Sequence, residues 1–172
     1  MSAPGPESGY LDAGAHYLPL RVYYEDTDAG GIVYHANYLR YFERARGEML
    51  RLLGIDHIAA WAGPRDGPRD GPRDGPAHGP RMGFAVRHVS LDYLRPARLD
   101  DALLVRSTVL HVGAAYVDAG QSIWRADAQL VSARLRVALV NDQGLPCRLP
   151  KAWRRILKTL EGVSPSKEAS GF

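Results

Sequence analysis

From Asn37 to Leu53, apolar side chains return every three or four residues, at Tyr38, Phe42, Ala45, Met49 and Leu53, with Leu39, Leu50 and Leu52 widening the stripe. That spacing predicts an amphipathic helix of about four to five turns. Arg40, Glu43, Arg44, Arg46, Glu48 and Arg51 fill most other positions; Asn37 suits the N-cap and Gly54 the first position past the C-terminus. Ahead of it, LRVYYE is β-rich over Leu20–Glu25. Beyond residue 81 the period falls to two. In MGFAVRHVSLDYL, alternation puts Ala85, Val89, Leu91 and Tyr93 on one face and Phe84, Val86, His88 and Ser90 on the other. ALLVRSTVLHV, AYVDAGQSIWRAD and QLVSARLRVALVND follow as strands with short connections. Parallel pairing needs longer crossovers, so the sheet is expected to be antiparallel. LPKAWRRILKTLEG starts a short helix after Pro150, with Trp153, Ile156, Leu157 and Leu160 on one side.

The order is strand, long helix, four strands, short helix. It predicts an α+β domain in which one five-stranded antiparallel sheet curls around the long helix so that each buries the other's apolar face. Phe84 and Val86 would leave apolar groups on the far side of the sheet, so association through faces or edges is expected. Residues 1–14 are rich in Gly, Pro, Ser and Ala, and 163–172 are similarly polar; both ends are expected to be flexible, flanking a single domain over 15–162. Within it, 63–80 repeats Gly-Pro every four residues, a spacing that excludes collagen and disfavours helix and strand. It is expected to be an exposed insertion, tolerated because lengthening a loop costs little closure entropy.

Composition narrows the function classes. The 172 residues suffice for one well-buried core. Lys and Arg total 22 against 19 Asp and Glu, a net +3 that does not argue for nucleic acid, and the basic groups lack an interleaved aromatic platform. Trp124 and Trp153 are expected to be core anchors. The single cysteine, Cys147, excludes an intrachain disulfide and a cysteine-based zinc cluster. His57, His78, His88 and His111 lack ligand spacing, so neither metal nor cofactor is expected. No apolar run reaches membrane-span length and the N-terminus lacks a signal-peptide pattern, which together predict a cytoplasmic protein without stable membrane insertion.

The chemistry concentrates in YEDTDAGGIVYHANYLRYFERAR, Tyr24 to Arg46. Three carboxylates fall within four residues, Gly30 and Gly31 follow, and His35 precedes the helix. Gly30 and Gly31 permit a tight turn with amides open toward an anion or carbonyl. Glu25 and Asp26 are accounted for by strand-end solvation, turn capping or pairing with Arg21, and Glu43 by an Arg-rich helix surface.

RVYYEDTDAGGIVYHANYLRYFERAR followed by LDYLRPARLDD resembles the hotdog-fold acyl-CoA thioesterases of the 4-hydroxybenzoyl-CoA thioesterase superfamily, in particular their Tol-Pal-associated YbgC type, over about Leu20 to Leu160 without the insertion. The resemblance implies a sheet wrapped around a central helix, homodimers often paired into homotetramers, and hydrolysis of an acyl-CoA thioester, with an acyl carrier protein as a further partner. It assigns Asp28 as the catalytic aspartate, His35 as the histidine that marks this type, and Tyr34 as a second-rank member of the same turn. Asp28 would act as general base on water or as nucleophile through an anhydride; the base is the less demanding arrangement. His35 would donate a hydrogen bond, position Asp28 or water, or protonate the leaving thiolate. Arg95 and Arg98 suit a phosphate contact to CoA or pairing with Asp100 and Asp101. The basic face of Lys151, Arg154, Arg155 and Lys158 suits an anionic partner or plain solvation. A non-catalytic acyl-binding scaffold is the alternative function, and a hydratase of the same fold fits the motif less well.

Overall fold

The computed structural model describes residues 7–62 and 81–162. The insertion 63–80 and the tail 163–172 lie outside the described residues. A six-stranded antiparallel sheet is built from β1 (Tyr10–Asp12), β2 (Ala15–Arg21), β3 (Met82–Tyr93), β4 (Ala102–Val112), β5 (Tyr116–Arg125) and β6 (Ala128–Asn141), in the order β1-β2-β4-β5-β6-β3. Three helices accompany it: α1 (Asn37–Leu52), α2 (His57–Ala62) and α3 (Lys151–Lys158). The sheet wraps α1, which is the α+β hotdog fold that the resemblance implied.

The sheet has one strand more than the five expected. β1 lies inside the stretch assigned to a flexible N-terminus: Ala13 and Gly14 both take positive φ and turn the chain back, and Tyr10 stacks on Tyr17 at 5.2 Å. The strand expected at Leu20–Glu25 is displaced to Ala15–Arg21, and Tyr24–Asp26 forms a 3-10 turn.

The largest departure from the sequence pattern comes from one extra residue. β3 pairs with β6 in a register that shifts between Val86 and His88, so Arg87 is bulged and the alternation inverts behind it. Phe84 faces Leu139 and Val86 faces Val137, while after the bulge Val89 faces Leu135 and Leu91 faces Ala133. Phe84, Val86, Val89, Leu91 and Tyr93 therefore share the face that looks toward α1. The expected split into two apolar faces does not occur. The outer face carries Arg106, Thr108, Asp118, Ser122, Arg134 and Arg136 instead; Arg136 forks onto Asp118 through Nε and Nη2, at 2.7 and 2.8 Å. An apolar far face is thus no argument for association. Trp124 also lies on this side, its indole donating to Ser122 Oγ at 2.8 Å, whereas Trp153 packs as expected, stacked on Phe84 at 5.8 Å.

Helix α1 buries Tyr38, Tyr41, Phe42 and Ala45 against Leu103, Val105 and Ile123 on the inner face, and Met49 is buried one turn further on. Leu39 and Leu52, expected to widen the stripe, are exposed, and Tyr41 takes the buried position. Asn37 does not cap the helix; Ala36 holds that position, and the Asn37 amide donates to the Asp26 carbonyl at 2.8 Å. Gly54 follows with φ of 69°, in agreement with its assignment past the helix end. Beneath α1 runs a buried polar row: His16, Ser107 and Gln121 are direct neighbours on β2, β4 and β5. Gln121 donates to the Phe42 carbonyl at 3.0 Å and to Ser107 Oγ at 2.8 Å, and accepts from Arg46 at 2.7 Å. The row ties the middle of the helix to the middle of the sheet.

Candidate active site

The segment between β2 and α1 is a tight loop closed on itself and on the chain ahead of β4. Thr27 bridges Val33, the Asp28 amide donates to the Ile32 carbonyl at 2.9 Å, and Gly31 returns a bond to the Asp28 carbonyl at 3.0 Å. The Asp28 carboxylate folds over the turn, Oδ1 accepting from the Gly30 amide at 2.8 Å. Gly31 has φ of 72°, which L side chains adopt only under strain. Gly30 and Gly31 thus do not present two open amides, as the sequence suggested: both amides are held by Asp28. They shape the aspartate's surroundings.

Asp28, Tyr34 and His35 are all exposed in the single chain. Tyr34 is fixed by its backbone, its amide donating to the Asp26 carbonyl at 2.9 Å and its carbonyl accepting from the Asn37 amide at 2.8 Å. Its ring lies against the His35 imidazole at 4.4 Å between centroids. The other side of His35 meets Tyr93, at 6.5 Å edge to face, and the Tyr93 hydroxyl donates to the His35 carbonyl at 3.1 Å. Tyr93 also packs edge-on against Tyr38, whose hydroxyl accepts from the Ala97 amide at 2.9 Å. Sequence reasoning placed Tyr93 on a strand face and missed this role. Its signal was an aromatic at the end of a strand, which alternation alone assigns to packing.

Asp26, two residues before Asp28, does structural work. Asp26 accepts from the Tyr23 amide at 2.8 Å, the turn capping that was expected of it. Tyr41 beside it is buried, and burial first, then the Asp26 carboxylate, holds its phenol protonated far above the ordinary range. Arg21 donates to the Asp100 carbonyl at 2.9 Å, an alternative to the pairing considered with Glu25 or Asp26.

Arg95 and Arg98 flank the loop. Ile32 bridges Arg98, and the Val33 amide donates to the Ala97 carbonyl at 2.9 Å, so LRPARLDD is laid directly along the Asp28 turn. Asp101 accepts from the Arg98 amide at 2.8 Å and from the Arg125 guanidinium at 2.7 Å, so its carboxylate is engaged by other groups than the Arg98 side chain. Arg95 donates to the Gln129 carbonyl at 3.2 Å. Both arginines are exposed.

A second feature lies at the other end of α1. A cavity of about 400 Å³ opens between the C-terminal half of α1, helix α2 and the strands β3, β5 and β6. Its walls are apolar, with Met49, Leu50, Trp61, Phe84, Val117 and Val137 among them, and Arg46 and Glu43 stand at its rim. Arg46 is shifted below its ordinary value by burial, an effect that the neighbouring Glu43 opposes. Helix α2, absent from the sequence prediction, supplies one wall. Among the described residues, no group of His, Cys, Asp and Glu side chains could hold a metal ion, and no helix is long and apolar enough to cross a membrane.

Residues 30–132 match the Thioesterase superfamily. The match starts at Gly30, so it includes Tyr34 and His35 but begins two residues after Asp28. The chain is 38% identical over 142 residues to the acyl-CoA thioesterase YbgC of Haemophilus influenzae, covering 82% of this chain and 92% of that protein. It is 37% identical over 136 residues to the acyl-CoA thioester hydrolase YbgC of Escherichia coli, covering 78% and 89%. Among solved structures, a probable thioesterase from Bartonella henselae superposes with a TM-score of 0.68 at 34% identity, over 79% of this chain and 99% of that one.

Proposed function

Because the chain belongs to the thioesterase superfamily and is an acyl-CoA thioesterase closely related to the YbgC proteins, we propose that Asp28 carries the hydrolysis. The observation that supports this is the loop itself. Asp28 is exposed in the loop that leads into the central helix, with one carboxylate oxygen fixed by the Gly30 amide. A carboxylate so held keeps its second oxygen on a defined path to a water above the turn. Asp28 takes a proton from that water as it attacks the thioester carbonyl; the tetrahedral intermediate collapses with cleavage of the C–S bond, and the thiolate of CoA leaves. His35, clamped between Tyr34 and Tyr93, returns a proton to that sulfur, so thioester and water become acid and thiol. The N-terminal end of α1 favours negative charge on the carbonyl oxygen in this position. Arg95 and Arg98 are placed to meet the phosphates of CoA, the planar guanidinium being suited to bidentate contacts.

The site is shared between two copies of the chain. β3 is an edge strand of twelve residues, whereas the other edge, β1, has three. Long unpaired edges recruit another strand. Within one protomer the Asp28 loop precedes the first turn of α1, whereas the apolar cavity is lined from Glu43 to Leu50, about 9 to 20 Å along the helix from Asn37 at 1.5 Å per residue. Pairing β3 antiparallel with its own copy about the strand's middle sets the cavity of one protomer beside the Tyr93 and His35 end of its partner. Acyl-CoA can then reach Asp28 of one chain and the cavity of the other. Homodimers of this kind, alone or paired into homotetramers, are the assembly we propose; acyl carrier protein thioesters and action in the cytoplasm, in association with Tol-Pal, belong to the same reading.

The test is release of free thiol from a chain-length panel of acyl-CoAs by wild type and Asp28→Asn at matched oligomeric state. Turnover is expected to fall about 100-fold or more in the variant, with acyl-CoA binding retained. Saturable binding without turnover by either protein would instead establish the acyl-binding scaffold.

A further inference from the structure

The wall contributed by α2 has a feature that general packing does not require. Trp61 lies on Gly83, the second residue of β3: a Cβ at position 83 would stand 2.6 Å from Trp61 Cε3 and 3.1 Å from Cζ3. Real Cβ atoms do not approach so closely, so only glycine admits the indole in this place. Gly83 has no positive φ and its strand needs no turn there; the close approach of Trp61 is what glycine allows. The indole remains 53% exposed, so burial in the core does not account for its position. It lines the cavity together with Ile58 of the same helix.

From this geometry we propose that Trp61, seated on Gly83, sets the length of acyl chain the enzyme accepts by forming the end wall of the cavity. The inference rests on the reading of the protein as an acyl-CoA thioesterase and names the substrate class of that site: straight aliphatic chains of up to about sixteen carbons. A cavity of about 150 Å³ takes up one benzene ring. On the same scale the cavity here, about 400 Å³, holds on the order of sixteen carbon atoms. Its polar lining is small: Arg46 donates to Gln121 at 2.7 Å and pairs with Glu43, and His57 Nδ1 lies 3.3 Å from the Ile55 carbonyl. A hydroxylated aromatic acyl group would leave its hydroxyl among the apolar walls, which carries a desolvation cost.

The experiment uses the full chain and a graded series of straight-chain alkyl thioethers of CoA, which bind without being cleaved, titrated by calorimetry. Wild-type affinity should rise with chain length to a maximum and fall once the chain outgrows the cavity. Trp61→Ala should move that maximum to longer chains, with a gain of about tenfold for chains beyond the wild-type optimum, corresponding to about 1.4 kcal/mol. Gly83→Ala, by displacing the indole, should produce the same shift, and the double variant should shift no further than either single one. Trp61→Phe should restore part of the wild-type limit. An unchanged maximum in a folded Trp61→Ala protein, affinity independent of chain length, or tighter binding of a benzyl thioether than of every straight chain would each overturn the inference. Thiol release from the matching thioesters keeps the two readings apart. Length-dependent binding without hydrolysis would remove the hydrolase reading alone, and hydrolysis with flat affinity would remove this inference alone.

Discussion

At Asp28, two glycines turn the chain so tightly that both of their amides bond the aspartate itself. The motif marked Asp28, Gly30, Gly31, Tyr34 and His35 as neighbours in sequence, and the structure gathers them into one loop. What the motif did not carry was direction. Two adjacent glycines suggest donors open to a ligand, yet whether an Asp two residues earlier claims them depends on φ and ψ that composition does not specify. Tyr93 was hidden for a different reason, because its partners are 55 or more positions away, a separation that local periodicity does not see. Its hydroxyl bond to the His35 carbonyl makes it a candidate positioning residue. Tyr93→Phe removes one neutral hydrogen bond worth about 0.5–1.5 kcal/mol. If that bond aligns His35 for protonation of the leaving thiolate, kcat should fall roughly two- to tenfold with little change in KM. A purely structural role would lower the unfolding midpoint and leave kcat per folded enzyme unaltered.

At the scale of elements, the long strands and both expected helices stood close to where hydrophobic periodicity put them. The failures were short elements and a parity error. β1 has three residues and α2 has six, too few to establish a period. The bulge at Arg87 changed which face of β3 is apolar without changing the strand's length, and with it the reason for expecting association. Beneath α1, His16 illustrates how tertiary context sets a titration that sequence does not show. Burial lowers its pKa below the ordinary value, while the Ser8 carbonyl and Glu48 pull the other way. The unfolded chain then binds a proton near pH 6.5 that the folded chain still refuses. Stability is therefore fully present above about pH 6.5 and declines as the pH falls toward the folded-state value. Urea unfolding between pH 5 and 8 should show this loss in wild type and a flatter profile in His16→Asn; equal slopes would contradict it.

The whole molecule presents an imbalance. The Asp28 loop lies ahead of the first turn of α1, the apolar cavity lies along the helix from Glu43 onward, and the twelve-residue edge strand β3 runs between them. A second copy resolves all three features at once. Sedimentation equilibrium should give twice or four times the chain mass, and weakening the β3 edge with His88→Lys, on its outer face and away from the cavity, should lower both association and turnover. A monomer with full acyl-CoA hydrolysis would break this part of the account. The fold class was recoverable from sequence because one long helix and four long strands leave few ways to bury their faces. The cavity was not, since apolar side chains that line a space and those that fill one share the same period.

The central claim is that Asp28 activates water and does not itself hold the acyl group. A single turnover with enzyme in excess of acyl-CoA, run in water enriched in oxygen-18, tests it most directly. The account predicts that the label appears in the released fatty acid and that the peptide containing Asp28 remains unlabelled by mass spectrometry. Oxygen-18 in the Asp28 carboxylate would show that an anhydride formed there and was hydrolysed, and would contradict the general-base mechanism.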